Sequence, residues 1–97
     1  MKAFHVTEAD LHTHLEARMH QRGVTLEEIR QTMAQGWQAA DVKSGTYGKV
    51  MVFSYEAEWE GQFYPEKEVT VYYKLVENER VILLTVKARY GQDFPRR

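Results

Sequence analysis

His14, Arg18 and Arg22 recur at steps of four, the first residues in the chain whose types and spacing suit chemistry. On a helix such steps align side chains in one stripe. An imidazole can give or take a proton near neutral pH, and a guanidinium can grip a phosphate or carboxylate through two parallel hydrogen bonds. A second group lies near the C-terminus, where Thr85, Lys87 and Arg89 alternate onto one face of an expected strand, beside Thr70 and Tyr72 of the strand before it. Two cations and three hydroxyls on a rigid sheet would clamp a phosphodiester and stabilise charge developing on it. Each group also has a plainer reading. The helical stripe can be a solvated edge, and Arg89 can simply pair with Glu68 across two strands.

The elements that must position these residues are written into the sequence as caps and periods. Thr7 precedes Glu8, Ala9 and Asp10, and Leu11, Leu15 and Met19 then form an apolar stripe up to Gly23, which predicts a first helix. Thr25 with Glu28 forms a capping box, and Ile29 with Met33 faces inward until Gly36, which predicts a second. With Arg22, Gly23 and Val24 as the joint, the two form an αα-hairpin. Beyond Gly36 the apolar period changes to two, and strands are expected near residues 37–43, 49–58, 68–76 and 80–90.

The last two strands can be registered against each other. A two-residue turn at Asn78 and Glu79 sets Val76 opposite Val81, Lys74 opposite Leu83, Tyr72 opposite Thr85, Thr70 opposite Lys87 and Glu68 opposite Arg89. The other face then holds Val69, Val71, Tyr73 and Leu75 against Ile82, Leu84, Val86 and Ala88. The strand before them is apolar on both faces, with Val50 and Val52 pointing one way and Met51, Phe53, Tyr55, Ala57 and Trp59 the other. Either it is central and covered twice, or one side meets the segment from Gly61 to Lys67, a partner subunit or a ligand. The expected architecture is α+β, two N-terminal helices packed on a four-stranded antiparallel sheet (ααββββ), with residues 1–97 as a single domain.

Composition narrows the classes. The chain has 97 residues, 43% of them hydrophobic, which is enough for a core and argues against intrinsic disorder. Thirteen Lys and Arg against fourteen Asp and Glu leave a formal net charge of -1, so a nucleic-acid binder would need its positive charge gathered on one face. Without cysteine there is no disulfide scaffold, cysteine zinc site or thiol nucleophile. His12 and His14 are two apart and face different ways on a helix, so neither a metal nor another cofactor is expected. No apolar run is long enough to span a membrane and the first residues lack the layout of a signal peptide, so the expected location is the cytoplasm, with no membrane partner.

The stretch from His14 to Thr25, HLEARMHQRGVT, continued by LEEIRQTMAQG, resembles the opening of a bacterial family known as domain of unknown function 4258. His14, Arg18, Arg22, Gly23, Val24, Thr25, Glu27 and Glu28 match its pattern, and the resemblance runs on through the sheet to cover most of the chain. By similarity that family is grouped with the RelE and barnase-EndoU-colicin superfold, two helices followed by a four-stranded antiparallel sheet. Many of its members are metal-independent ribonucleases or toxins. The resemblance therefore implies a ribonuclease-like or toxin-like protein with RNA as substrate and a cognate antitoxin as partner.

Combined with the residue pattern, the expected catalytic groups are His14, Arg18, Lys87 and Arg89, with Arg22, Tyr72 and Thr85 binding substrate and no metal. This requires the first helix to flank the sheet face that carries Lys87. The competing expectation is a non-catalytic interaction module, a homo-oligomer or partner-binding domain, with Met51, Phe53, Tyr55 and Trp59 at the centre of an apolar interface.

Overall fold

The computed structural model describes residues 13–77 and 80–96. Two helices, α1 (Thr13–Arg22) and α2 (Leu26–Gln35), are followed by β1 (Trp37–Gln38), β2 (Tyr47–Trp59), β3 (Gln62–Val76) and β4 (Arg80–Gly91). The strands form one antiparallel sheet in chain order, and the protein is an α+β domain of ααββββ type. The expected cap at Thr7 and the stripe residue Leu11 lie outside the described residues, as does the turn at Asn78 and Glu79.

The joint between the helices is built as the sequence implies. Gly23 takes a left-handed φ of 70°, and the Val24 and Gly23 amides donate to the carbonyls of Met19 and His20, which satisfies two orphan acceptors of α1. Two residues on, the Thr25 amide donates to Glu28 Oε1 (2.9 Å) and the Glu28 amide donates to Thr25 Oγ1 (3.1 Å), closing the capping box. Leu15, Val24, Ile29 and Met33 from the helical side meet Val69, Val71, Tyr73, Leu83 and Val86 from the sheet, and all are buried. Each such side chain contributes about 1.5–3 kcal/mol by leaving water, so this layer holds the helices against one sheet face.

Three expectations about the sheet need correction. The strand expected near residues 37–43 is only Trp37–Gln38, because the chain leaves the sheet at Ala39 and loops back over it to Tyr47. In the other direction, the segment from Gly61 to Lys67 is no cover loop. Glu60 and Gly61 adopt φ values of 52° and 84°, the two positive angles of a tight hairpin turn, and β3 begins at Gln62 with Phe63 largely exposed. Pro65 sits inside β3 without breaking the ladder, since β2 bulges between Ser54 and Ala57 opposite it and pairing with β4 starts only at Glu66.

The third correction concerns register. Tyr72 pairs with Thr85, Thr70 with Lys87 and Glu68 with Arg89 as expected. Nearer the turn the ladder shifts by one, so that Tyr73 pairs with Leu83, Lys74 with Ile82, Leu75 with Val81 and Val76 with Arg80. The extra residue is Leu84. A bulge there reverses the facing of the strand end, sending Leu83 into the core where Leu84 was expected and leaving Ile82 on the polar face opposite Lys74.

β2 is a central strand with apolar residues on both faces. Met51 and Phe53 share the helical face with Val69 and Lys67, while Val50 and Val52 share the other face with Thr70 and Glu68. Phe53 packs against the core. Trp59 stacks on Tyr90 with centroids 4.9 Å apart, and Tyr55 meets the same ring edge-on at 5.3 Å. These aromatics, expected at the centre of an interface, are partly buried in intramolecular contacts.

Beside them lies Lys67, only 2% exposed. Its ammonium donates to both oxygens of Glu28 (2.8 and 3.0 Å) and to the Gly23 carbonyl, which uses all three protons. Tyr90 donates its hydroxyl to the Arg22 carbonyl, and burial pushes its phenol pKa up. A Cβ on Gly23 would meet the Trp59 ring and lie 2.7 Å from Tyr90 Oη. The α1–α2 joint is thereby clamped to the sheet, and the clamp fixes where α1 ends.

Candidate functional site

The sheet face opposite the helices holds a transverse row, Trp37, Val50, Thr70 and Lys87, one residue from each strand. Two pieces of irregular chain cross this face on either side of the row. At one end the segment following β4 folds back: the Phe94 amide donates to Glu66 Oε1 (3.0 Å), and Arg96 binds Glu66 and the Val52 carbonyl. At the other end the loop between β1 and β2 lies down over Gly48. A Cβ at Gly48 would sit 2.8 Å from Ala39 Cβ and 3.2 Å from Val42 Cγ1, so the close approach of this loop depends on glycine.

That loop delivers Asp41, a residue the sequence reading did not single out. Its carboxylate accepts from Lys87 Nζ (3.1 Å) and from the Tyr72 hydroxyl (3.1 and 3.3 Å), and the lysine also lies 5.3 Å from the centre of the Tyr72 ring. The hydrogen bonds from Lys87 and then Tyr72 hold the Asp41 carboxyl below the ordinary carboxylate range. In return the Tyr72 hydroxyl and the Asp41 carboxylate raise the Lys87 pKa. No spacing rule links position 41 to position 87, so only the loop's path could have revealed the contact.

Two cavities open on this region. The larger, about 540 Å³, lies over the transverse row, with Trp37, Glu68, Arg89 and Pro95 among its walls. The second, about 500 Å³, reaches around β4 to α1, and His14, Arg18, Arg22, Tyr72, Thr85 and Lys87 all line it. α1 packs beside β4, and its His14–Arg18–Arg22 stripe reaches the cavity edge while Leu15 enters the core. Six of the seven residues singled out by sequence thus share one cavity although they come from three elements.

Arg89 is the exception. It lines the larger cavity, and its Nε donates to Glu68 Oε1 (2.9 Å), which raises the arginine's pKa. Arg22, Asp41 and Lys87 line both cavities and so form their shared boundary. Arg22 Nε is buried and has no hydrogen-bond partner among the described residues.

The charge of the His14 cavity differs from that of the whole chain. Arg18, Arg22, Lys43 and Lys87 face a single acid there, Asp41, whereas the whole chain has a formal net charge of -1. Such a concentration favours an anion. Among the described residues no group of three or more His, Asp or Glu side chains is placed to hold a metal ion, and no helix is long and apolar enough to cross a membrane. Compared with known protein families, curated proteins and solved structures, the chain matches none of them.

Proposed function

We propose that the protein cleaves RNA by metal-independent phosphodiester transfer in the cavity between α1 and β4. The observation that carries this reading is the convergence of His14, Arg18, Arg22, Tyr72, Thr85 and Lys87 on one cavity with a basic lining. His14 takes the proton of a ribose 2'-hydroxyl as its oxygen attacks phosphorus. The bond from phosphorus to the 5'-oxygen breaks, that oxygen takes up a proton from water, and a 2',3'-cyclic phosphate remains.

Arg18, Arg22 and Lys87 neutralise the phosphate, most strongly as charge accumulates in the transition state, and Tyr72 with Thr85 orients it. Arg89, held by Glu68, has a supporting place in the neighbouring cavity. Asp41 sits where Lys87 and Tyr72 would meet a phosphate oxygen, so substrate must displace it or share the lysine with it. The resemblance of the His14 to Thr25 stretch to the bacterial family of unknown function, and through it to RelE-like toxins, agrees with this reading, as does the element order. A cognate antitoxin covering the cavity belongs to the same proposal.

Incubation with a varied RNA pool in EDTA tests the reading. Wild-type protein is expected to cut the pool, and His14→Ala and Lys87→Ala each to lower the rate at least about tenfold, equivalent to about 1.4 kcal/mol of barrier. Intact RNA at high protein concentration, with any co-purified inhibitor removed, would sink it. The interaction-module alternative has less support, because Phe53, Tyr55 and Trp59 are already engaged within the fold.

A further inference from the structure

The larger cavity adjoins the phosphate cavity but is built differently. Its floor is the transverse row, and the row runs from an indole to an ammonium: Trp37, Val50, Thr70, Lys87. Three interstrand steps separate its ends, about 14 Å between the two Cα atoms. Trp37 and Lys87 both line the cavity, whose volume is about 540 Å³. Trp37 is half-buried, has no ring contact with another aromatic side chain among the described residues, and stands in the cavity wall with Pro95.

The boundary between the two cavities holds Lys87 and Arg22, whose buried Nε lacks a partner. A phosphate there would face a cavity on each side. We infer that the Trp37 cavity is a base-binding subsite: a nucleobase stacks on the Trp37 indole, its linking phosphate lies at Arg22 and Lys87, and the ligand is single-stranded RNA spanning at least two nucleotides. Stacking suits this surface because every base offers a π-face, and a paired duplex could not present one to the ring. The inference rests on the phosphodiester reading for the identity of the anion, and it adds the specificity element that reading lacks.

Binding of a 2'-deoxy dinucleotide tests it without turnover, since the probe lacks the attacking hydroxyl. Calorimetric titration should show the dinucleotide binding at least about tenfold more tightly than inorganic phosphate. Trp37→Ala should abolish that advantage while leaving inorganic phosphate affinity unchanged, and Trp37→Phe should keep most of it. Trp37 lies on a two-residue edge strand, and circular dichroism of both variants checks that the sheet is intact.

Equal affinities of wild-type protein for dinucleotide and phosphate, or full dinucleotide affinity in Trp37→Ala, would overturn the subsite. The two proposals fail separately. Loss of dinucleotide binding in Trp37→Ala by a protein that never cuts RNA would retain the subsite and remove the catalysis, whereas RNA cleavage with no contribution from Trp37 to dinucleotide affinity would do the reverse.

Discussion

Asp41→Asn is the substitution that separates an internal competitor from a catalytic group. The carboxylate lies 3.1 Å from Lys87 Nζ, but the two side chains are 63% and 50% exposed, so water screens the pair heavily. Exposed pairs of this kind contribute about 0.2–1 kcal/mol. Breaking it should therefore cost little stability, a fall in Tm of at most about 8 °C for a domain of this size. The same energy no longer opposes an incoming phosphate, and the repulsion between the carboxylate and that phosphate disappears as well. Together these should tighten binding of inorganic phosphate or a dinucleotide by about three- to tenfold, with the larger effect at low salt.

Calorimetric titration at two ionic strengths measures this directly, and steady-state cleavage adds a second readout. A competitor's loss lowers KM with kcat preserved. Unchanged or weaker anion binding in Asp41→Asn would mean that Lys87 and Tyr72 do not meet the anion.

Further outcomes follow from the same structure. Lys67→Met should destabilise the fold by about 3–5 kcal/mol in denaturant unfolding, since the Glu28 carboxylate, 18% exposed, would lose its buried counter-ion and the Gly23 carbonyl its donor. Gly23→Ala should destabilise by more than about 1 kcal/mol, because φ is 70° and the new methyl group would press on Trp59 and Tyr90; thermal melting reports it. Because the folded-state pKa of Asp41 is depressed, its contact with Lys87 contributes stability above the ordinary value of 3.8, lost as pH falls through the depressed one. NMR titration of the Asp41 carboxyl should thus place its midpoint below 3.8 in wild-type protein and return it toward that value in Lys87→Ala.

What could be read in the sequence is what local chemistry dictates. The Thr25–Glu28 capping box, the Gly23 stop and the Tyr72–Thr85 register depend on neighbours in sequence or on simple alternation, and all stand in the structure. Pro65 and Gly61 resembled loop punctuation because a strand interior normally excludes proline. Only the bulge in β2 and the late start of β4 pairing make Pro65 tolerable. The Leu84 bulge was invisible for a related reason: Val81, Ile82, Leu83 and Leu84 are all apolar, so no alternation marks which of them leaves the ladder.

The candidate site divides along the same line. His14, Arg18 and Arg22 share a helical stripe, and Tyr72, Thr85 and Lys87 share a sheet face, both patterns that periodicity reveals. Their meeting depends on α1 packing beside β4, at the open edge of the sheet, rather than over its middle. Asp41 and Trp37 owe their places to a loop that folds back over Gly48 and to a two-residue strand, and neither carries a periodic signal.

His14 and Lys87, from opposite ends of the chain, are proposed to act on one phosphodiester. Single-turnover RNA cleavage in EDTA by wild-type protein, His14→Ala, Lys87→Ala and the double variant measures it most directly. If the two groups act as a unit, the double variant should lose little more than the worse single variant. Losses that multiply independently, or a wild-type protein that leaves the RNA intact, would contradict it.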